Sequence, residues 1–461
     1  MVKVSKKQKI LLAFNPMGYN ICGGLIGGSF LKFFVDIIGL EAIWFGIAYF
    51  IYGIWNAVND PFIGYWSDRK EPKAGKGKRK PFFRLSIPIA LFSMFLMIFI
   101  SPSWDDLTIF IVLLVGLIIY DVGGTIFYIN QNAINIAITD DPNERASIST
   151  LTSLTGQING ALIGAIPFLF LTGDFPYEFI IVLFSCAVLL GMGILTYTSS
   201  KIQEPIEIYG KPKEHLPVKK AIKVTLKSKA FLCFVIVAFS MTGIGSAFGA
   251  TILFYLNDVY GYHGFEALFP AMFAGLVEIP TMPLIYYIHK RFGVRSTLFI
   301  FLWVMFFGFL GFYFKPDFWV LVFFYWCILT GFNSMGIVSN AAYGDITDED
   351  ELKTGERREG MYLGIASIFT IPASSIFVFL FTLFLTMFGY DGEAVAQTET
   401  ALYGIRLGTS LLPMIFLAIA AITLYFYPFH GEPYREMKVK IKKLYEEKLH
   451  ITYTNTNYEK N

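Results

Sequence analysis

The chain has 461 residues, 55% of them hydrophobic and 16% charged, with a mean hydropathy of +0.56 and a formal net charge of +2. A soluble globular chain carries about a quarter charged residues, so this composition excludes an ordinary water-soluble domain and predicts a chain solvated mostly by lipid. The small net charge selects no partner by itself, and no nucleic-acid ligand is expected; the positions of the charges carry the information.

Twelve apolar runs are each long enough to cross about 30 Å of hydrocarbon. They are 11–38, 42–66, 82–101, 107–136, 147–171 and 177–198, then 230–256, 265–288, 296–314, 318–343, 361–388 and 403–428. The expected fold class is an all-α membrane protein of twelve transmembrane helices. Helix 1 carries Asn15, Pro16 and Asn20, with Gly23, Gly24, Gly27 and Gly28 as a close-packing surface. Asn20 lies about a third of the way in, where a pore-facing amide binds hydroxyls. Lys32 and Asp36 follow one turn apart and are expected to form a simple surface pair.

Helix 2 ends in Asn59-Asp-Pro-Phe-Ile-Gly-Tyr-Trp66, leading into Ser67-Asp-Arg-Lys70. At 1.5 Å per residue, the eight steps to Asp68 put Asp60 roughly 12 Å inside the helix end. An acid at that depth is costly and by default marks an ion or solute pathway. Asn56, Asn59 and Asp60 share one face, so one ion can meet all three. Helix 4 has Asp121 near its middle, with Gly116, Gly123 and Gly124 allowing a close neighbour. Two carboxylates on runs without Lys or Arg need a cation or a proton. Further along, Asn130, Gln131, Asn132 and Asn135 are too polar to face lipid, and helix 5 adds Gln157 and Asn159. These amides are expected to line a hydrophilic cavity, with an interhelical network as the alternative.

Lys201 to Lys229 is the longest polar interruption and divides the spans six and six. The expected domains are a first half at 1–200, a linker at 201–229, a second half at 230–428 and a tail at 429–461. Within the linker, Val218 to Lys229 reads as a surface helix on an anionic leaflet. On helix 8, Glu278 is the one acid deep in the second half. It is a proton-carrying or solute-binding group, or a local partner for backbone freed by Pro280 and Pro283. Arg406 opens helix 12 as an outer gate or headgroup contact, and the tail reads as a solvated or surface helix from Tyr434 to Leu449.

Lys3, Lys6, Lys7 and Lys9 precede helix 1, and the loops after helices 2, 6, 8 and 10 are basic. The opposite loops hold Asp36, Glu41, Asp105, Asp106, Asp174, Asp258, Asp317 and Asp391. The positive-inside rule then places both termini in the cytoplasm, and the cell membrane is the expected location. Cys22, Cys186, Cys233 and Cys327 each lie inside an apolar run and imply no disulfide framework. His215, His263, His289, His430 and His450 all lie in loops or at span ends, so no intramembrane metal site or Ser-His dyad is available. Neither membrane aspartate sits in a Gly-x-Gly-Asp context. No enzyme and no metal cofactor are expected.

Three segments resemble the glycoside–pentoside–hexuronide:cation symporter family of the major facilitator superfamily, and are melibiose permease-like. They are Trp55-Asn-Ala-Val-Asn-Asp-Pro61 with Gly64, Ser67-Asp68 and Lys78-Arg-Lys-Pro81; Asp121 followed by Asn143-Glu-Arg145; and Tyr343-Gly-Asp-Ile-Thr-Asp348 with Glu351-Leu-Lys-Thr-Gly355 and Arg357-Arg-Glu-Gly360. The resemblance runs to about Pro428. It implies two six-helix halves that alternate access, and a cation site made by two helix-2 acids and one helix-4 acid. Asp60 and Asp121 match two of these; the third falls on Asn56, which makes proton coupling plausible beside sodium and leaves uncoupled transport open. The family's sugar-holding groups would fall on Asn20, Thr125, near Ser153 and near Ile371, so galactoside specificity does not carry over.

The expectation is a secondary active transporter, cation-coupled (H+ or Na+), for a sugar or glycoside, with a lysolipid transporter or uncoupled facilitator of the same fold as alternative. A non-transporting membrane sensor is a third possibility. Asp60, Asp121, Asn56 and Asn59 are the expected cation site, and Asn20, Asp121, Asn130, Gln157 and Glu278 the solute contacts. Asp68, Arg69, Arg145, Asp345, Asp348, Arg357 and Arg358 are the expected cytoplasmic gate, pairing across the halves. The chain is expected to act as a monomer in the lipid bilayer.

Overall fold

Hydrocarbon leaves no water for backbone N–H and C=O groups, so apolar runs of this length satisfy them internally as helices. The computed structural model describes residues 4–69, 79–139, 142–173, 175–203, 225–355, 358–394 and 396–458, and all its regular elements among these are helical. In chain order they are α1 Lys6–Gly28, α2 Ala42–Arg69, α3 Lys80–Ile98, α4 Asp106–Ala137, α5 Pro142–Phe170 and α6 Tyr177–Lys201. The second series is α7 Lys229–Phe254, α8 and α9 within Phe265–Tyr313, α10 Phe318–Thr354, α11 Glu359–Met387 and α12 Glu399–Tyr425, followed by the tail helix α13 Gly431–Tyr458. Gly293, at φ 78° and ψ −179°, separates α8 from α9. That conformation is open to glycine and costly for any other residue.

Ten described helices are long and apolar enough to cross a membrane when α8 and α9 are taken as one. Gly293 divides the longest of the ten into two, and the 28-residue α2, which is not among the ten, occupies the place of the expected second span. The protein is a multi-pass integral membrane protein. Prolines lie within α3, α5, α11 and α12 (Pro88, Pro167, Pro372 and Pro413) without ending them, as bilayer helices tolerate. Asp105 caps α4 by accepting from the Thr108 backbone N–H at 3.0 Å.

The chain forms two compact units. The first comprises Met1–Lys213, Gly243–Ala271 and Ile371–Leu412; the second comprises Glu214–Thr242, Met272–Thr370 and Pro413–Asn461. In the first, α4 packs against both α2 and α3, while α1 packs against α5 and α6. Glycine permits the α1–α6 approach: a Cβ on Gly18 would lie 2.5 Å from the Gly191 carbonyl oxygen. Tyr19 fills the space between α1 and α4, stacking on Phe127 at 4.8 Å and donating its hydroxyl to the Ser86 carbonyl at 2.7 Å.

Two of the helix-4 amides, Asn130 and Gln131, differ from expectation and serve as interhelical ties, while Asn132 is exposed. Asn15 donates to Gln131 at 2.6 Å and accepts from Thr198 and Ser199 at 2.7 and 3.0 Å; Gln131 in turn donates to the Leu12 carbonyl and to Asn135. Buried amides without water are most stable when they satisfy one another.

The Lys32–Asp36 pair also differs. Lys32 is 1% exposed and contacts Asp36 at 2.5 Å and Asp258 at 3.4 Å, while its ammonium lies 4.5 Å from the Phe254 ring centroid. Tyr390 donates to Asp36 at 2.9 Å and to Asp258 at 3.3 Å. What reads as an exposed i,i+4 pair is one edge of a four-residue cluster around a buried lysine.

In the second unit, Gly331 lets α10 lie against Met305 of α9. Arg295 donates to the last carbonyls of α12, Leu424 at 3.2 Å and Tyr425 at 2.6 Å, the favourable place for a cation at a helix C-terminus. The tail helix is longer than expected and docks on α10 through Tyr434 and Lys438. Most of the expected surface helix over Val218–Lys229 lies outside the described residues.

Candidate functional site

Where α2 crosses α4, two carboxylates are bonded reciprocally. Asn59 of α2 donates to Asp121 of α4, and Thr125 of α4 donates to Asp60 of α2 at 2.8 Å. Asp121 and Thr125 are four residues apart, so one face of α4 presents both. Asp121 is 5% exposed, Asn59 is 4% exposed and Asp60 is half-buried. No lysine or arginine pairs with either acid among the described residues; their named partners are a neutral amide and a neutral hydroxyl. The Asn59 side-chain oxygen is buried with no hydrogen-bond partner there. Two carboxylates and an orphaned amide oxygen are hard donors, suited to a small cation or a proton rather than to a soft metal. Asn56, one turn earlier on α2, is half-buried beside Tyr52.

The expected solute contacts fall into separate surroundings. Asn20 accepts from the Tyr128 hydroxyl at 2.7 Å, and Gln157 of α5 is exposed. Asn130 is wholly buried: its oxygen accepts from Arg79 at 3.1 Å and its nitrogen donates to the Ile126 carbonyl at 2.7 Å. That is the bonding of a strut between α3 and α4. Asn159 is buried, and its side-chain oxygen has no hydrogen-bond partner among the described residues. Thr125 and Tyr128 complete the surroundings of Asp60 and Asn20, roles that the sequence reading did not give them. The available signal was their spacing of four and seven from Asp121, which keeps all three on one stripe of α4.

Glu278 belongs to the second unit. It is 3% exposed and accepts from Thr330 at 2.7 Å and Asn333 at 3.1 Å, both on α10. Trp326 braces the same helices by donating to Thr281 at 3.0 Å. Glu278 is thus held by specific side-chain donors, in addition to lying near Pro280 and Pro283.

Of the expected gate, Asp345 accepts from Tyr434 at 2.8 Å and pairs with Lys438 at 2.5 Å, and Asp348 pairs with Lys438 at 2.8 Å. Arg358 forks onto Asp350 at 2.6 and 2.8 Å. These contacts all lie within the second unit. Arg357 and the side chains of Asp68, Arg69 and Arg145 lie outside the described residues.

The model of the family described as MFS/sugar transport protein matches residues 12–431. The chain is 24% identical over 438 residues to an uncharacterized symporter of Bacillus subtilis (strain 168), covering 91% of each chain. It is 22% identical over 433 residues to an isoprimeverose transporter of Lactiplantibacillus pentosus, covering 91% of this chain and 88% of that one. The fold matches the crystal structure of a bacterial homologue of the human lysosomal transporter Spinster, inward-facing and unoccupied, with a TM-score of 0.67 at 14% identity, covering 92% and 98% of the two chains. The chain therefore belongs to the MFS sugar-transport family, within the glycoside–pentoside–hexuronide group its motifs resemble, and is a membrane transporter rather than an enzyme.

Proposed function

We propose that this protein takes up a small polar solute, a sugar or glycoside, coupled to H+ or Na+ and by alternating access between its halves. The reciprocal Asn59–Asp121 and Thr125–Asp60 bonds carry this reading. They hold two acids at one helix crossing without a fixed cation among their described partners, and a mobile cation or proton is the remaining way to neutralise them. Asp60, Asp121 and the Asn59 oxygen are assigned to the ion, with Asn56 supporting them. The missing third carboxylate makes a proton at least as suitable as sodium.

Asn20, Asp121 and Gln157 are assigned to solute hydroxyls, while Asn130 serves the site by fixing α4. Glu278 is a further solute candidate by its chemistry alone. The sugar class is supported by the family match and by the relative named for isoprimeverose. The basic loops support a cell-membrane orientation with both termini cytoplasmic, and the protein acts as a monomer. Uptake into proteoliposomes across a panel of sugars, with a proton or sodium gradient imposed, tests this directly. Gradient-driven accumulation of a sugar supports the reading. Movement of a lysolipid and of no sugar would replace it.

A further inference from the structure

The second unit contains a cavity of about 690 Å³ lined by none of the residues assigned above to the ion or the solute. Its walls are the α8–α9 connection at His289–Ser296, the α10 segment reaching Asp348, and the start of the tail helix. The lining is strongly basic. Two acids, Asp345 and Asp348, are present, but both are buried and already bonded, to Tyr434 and Lys438 and to Lys438 respectively. Arg295 is pinned to the ends of α12 by its two carbonyl contacts.

Lys290 and Arg291 are exposed at the cavity and Arg435 is 78% exposed; the contact seen for Arg435 is to Glu432 at 3.4 Å, itself exposed. Arg291 donates only to a neutral group among the contacts seen, the Tyr287 hydroxyl at 3.3 Å. His289 adds a buried ring nitrogen, Nδ1, with no hydrogen-bond partner among the described residues. The turn at Gly293, with its glycine-only backbone, sets this basic connection opposite the tail helix.

We propose that this cavity is a binding site for a phosphate-bearing anion. Guanidinium groups match the paired oxygens of a phosphate, and a lysine adds a point charge. The volume lies in the range of small-ligand sites. The phosphate comes either from an anionic lipid headgroup or from a soluble phosphorylated metabolite. The lipid source rests on the cytoplasmic orientation proposed above, since the anionic leaflet would then meet this end. Because the cavity is walled by both α10 and α13, an occupant would hold the tail helix in place.

The test is thermal stabilisation of the purified full chain, titrated separately with phosphatidylglycerol micelles, glucose 6-phosphate and inorganic phosphate, with phosphatidylcholine as control. We expect saturable stabilisation by a phosphate probe, and a loss of roughly tenfold or more in affinity in the K290Q/R291Q/R435Q variant. Arg435→Gln alone alters one exposed side chain and should weaken binding in the same direction if the triple variant fails to fold. A response to phosphatidylglycerol assigns the site to lipid; a response to glucose 6-phosphate or to inorganic phosphate assigns it to a soluble anion. No saturable stabilisation by any of the three, or undiminished affinity in the variants, overturns the proposal. The readout is binding, so it stands apart from whether a sugar is transported.

Discussion

Lys32→Met removes the cation at the centre of the Lys32–Asp36–Asp258–Tyr390 cluster and leaves a side chain of similar length. The wild-type lysine is 1% exposed and faces two carboxylates whose side chains are only 17% and 15% exposed. Breaking a buried pair by deleting one partner costs about 3–5 kcal/mol, because the remaining charge stays desolvated. Partial exposure of the acids places this case at the lower end, about 3 kcal/mol. Asp258→Asn loses only the 3.4 Å contact and keeps the 2.5 Å one, so about 1 kcal/mol is expected. The predicted order of melting temperature in detergent is wild type, then Asp258→Asn, then Lys32→Met. Adding Asp36→Leu and Asp258→Leu to Lys32→Met should recover much of the loss, since the uncompensated acids are gone. The difference should also persist near 1 M salt, where the Debye length is about 3 Å and an exposed pair would be screened. A Lys32→Met protein that melts like wild type, or no lower than Asp258→Asn, refutes the reasoning.

Gly18→Val places a Cβ 2.5 Å from the Gly191 carbonyl oxygen and should cost about 1–3 kcal/mol or more by overpacking; folded yield by fluorescence size exclusion is the check, and a normal yield contradicts the close approach. Thr330→Val deletes the 2.7 Å donor to Glu278 and should destabilise by about 1–3 kcal/mol, read as a lowered melting temperature that Thr330→Ser largely avoids. Arg79→Met leaves Asn130 without the donor at 3.1 Å; transport rate and stability should fall together, whereas a change confined to solute affinity would put Asn130 in the binding site instead.

The span pattern was legible because bilayer helices must be long and apolar, and α2 runs through Asp60 to Arg69 as one helix. Asp60 and Asp121 were legible as isolated acids in apolar runs. Their partners were harder to read. Spacing places Asn56, Asn59 and Asp60 on one side of α2, but it does not say how that helix is rotated against α4. The structure has Asn59 reaching across to Asp121, while Thr125 supplies Asp60. Lys32 shows the same limit: Asp258 and Tyr390 lie 226 and 354 residues away from the residues beyond α1 that they contact, Lys32 and Asp36. Local spacing cannot distinguish that burial from an exposed pair. The amides of α4 read as cavity lining because polarity alone does not separate a wet surface from a satisfied helix–helix contact, and Asn130 and Gln131 belong to the latter.

Coupling, as proposed above, runs through the α2–α4 carboxylates. The most direct measurement compares wild type, Asp60→Asn and Asp121→Asn in proteoliposomes, recording uphill uptake under an imposed proton or sodium gradient beside solute equilibration without one. If these acids bind the coupling ion, the asparagine variants lose uphill uptake, and Asp60→Asn retains gradient-free equilibration. Uphill uptake that survives both substitutions would contradict it and leave the two acids as structural groups.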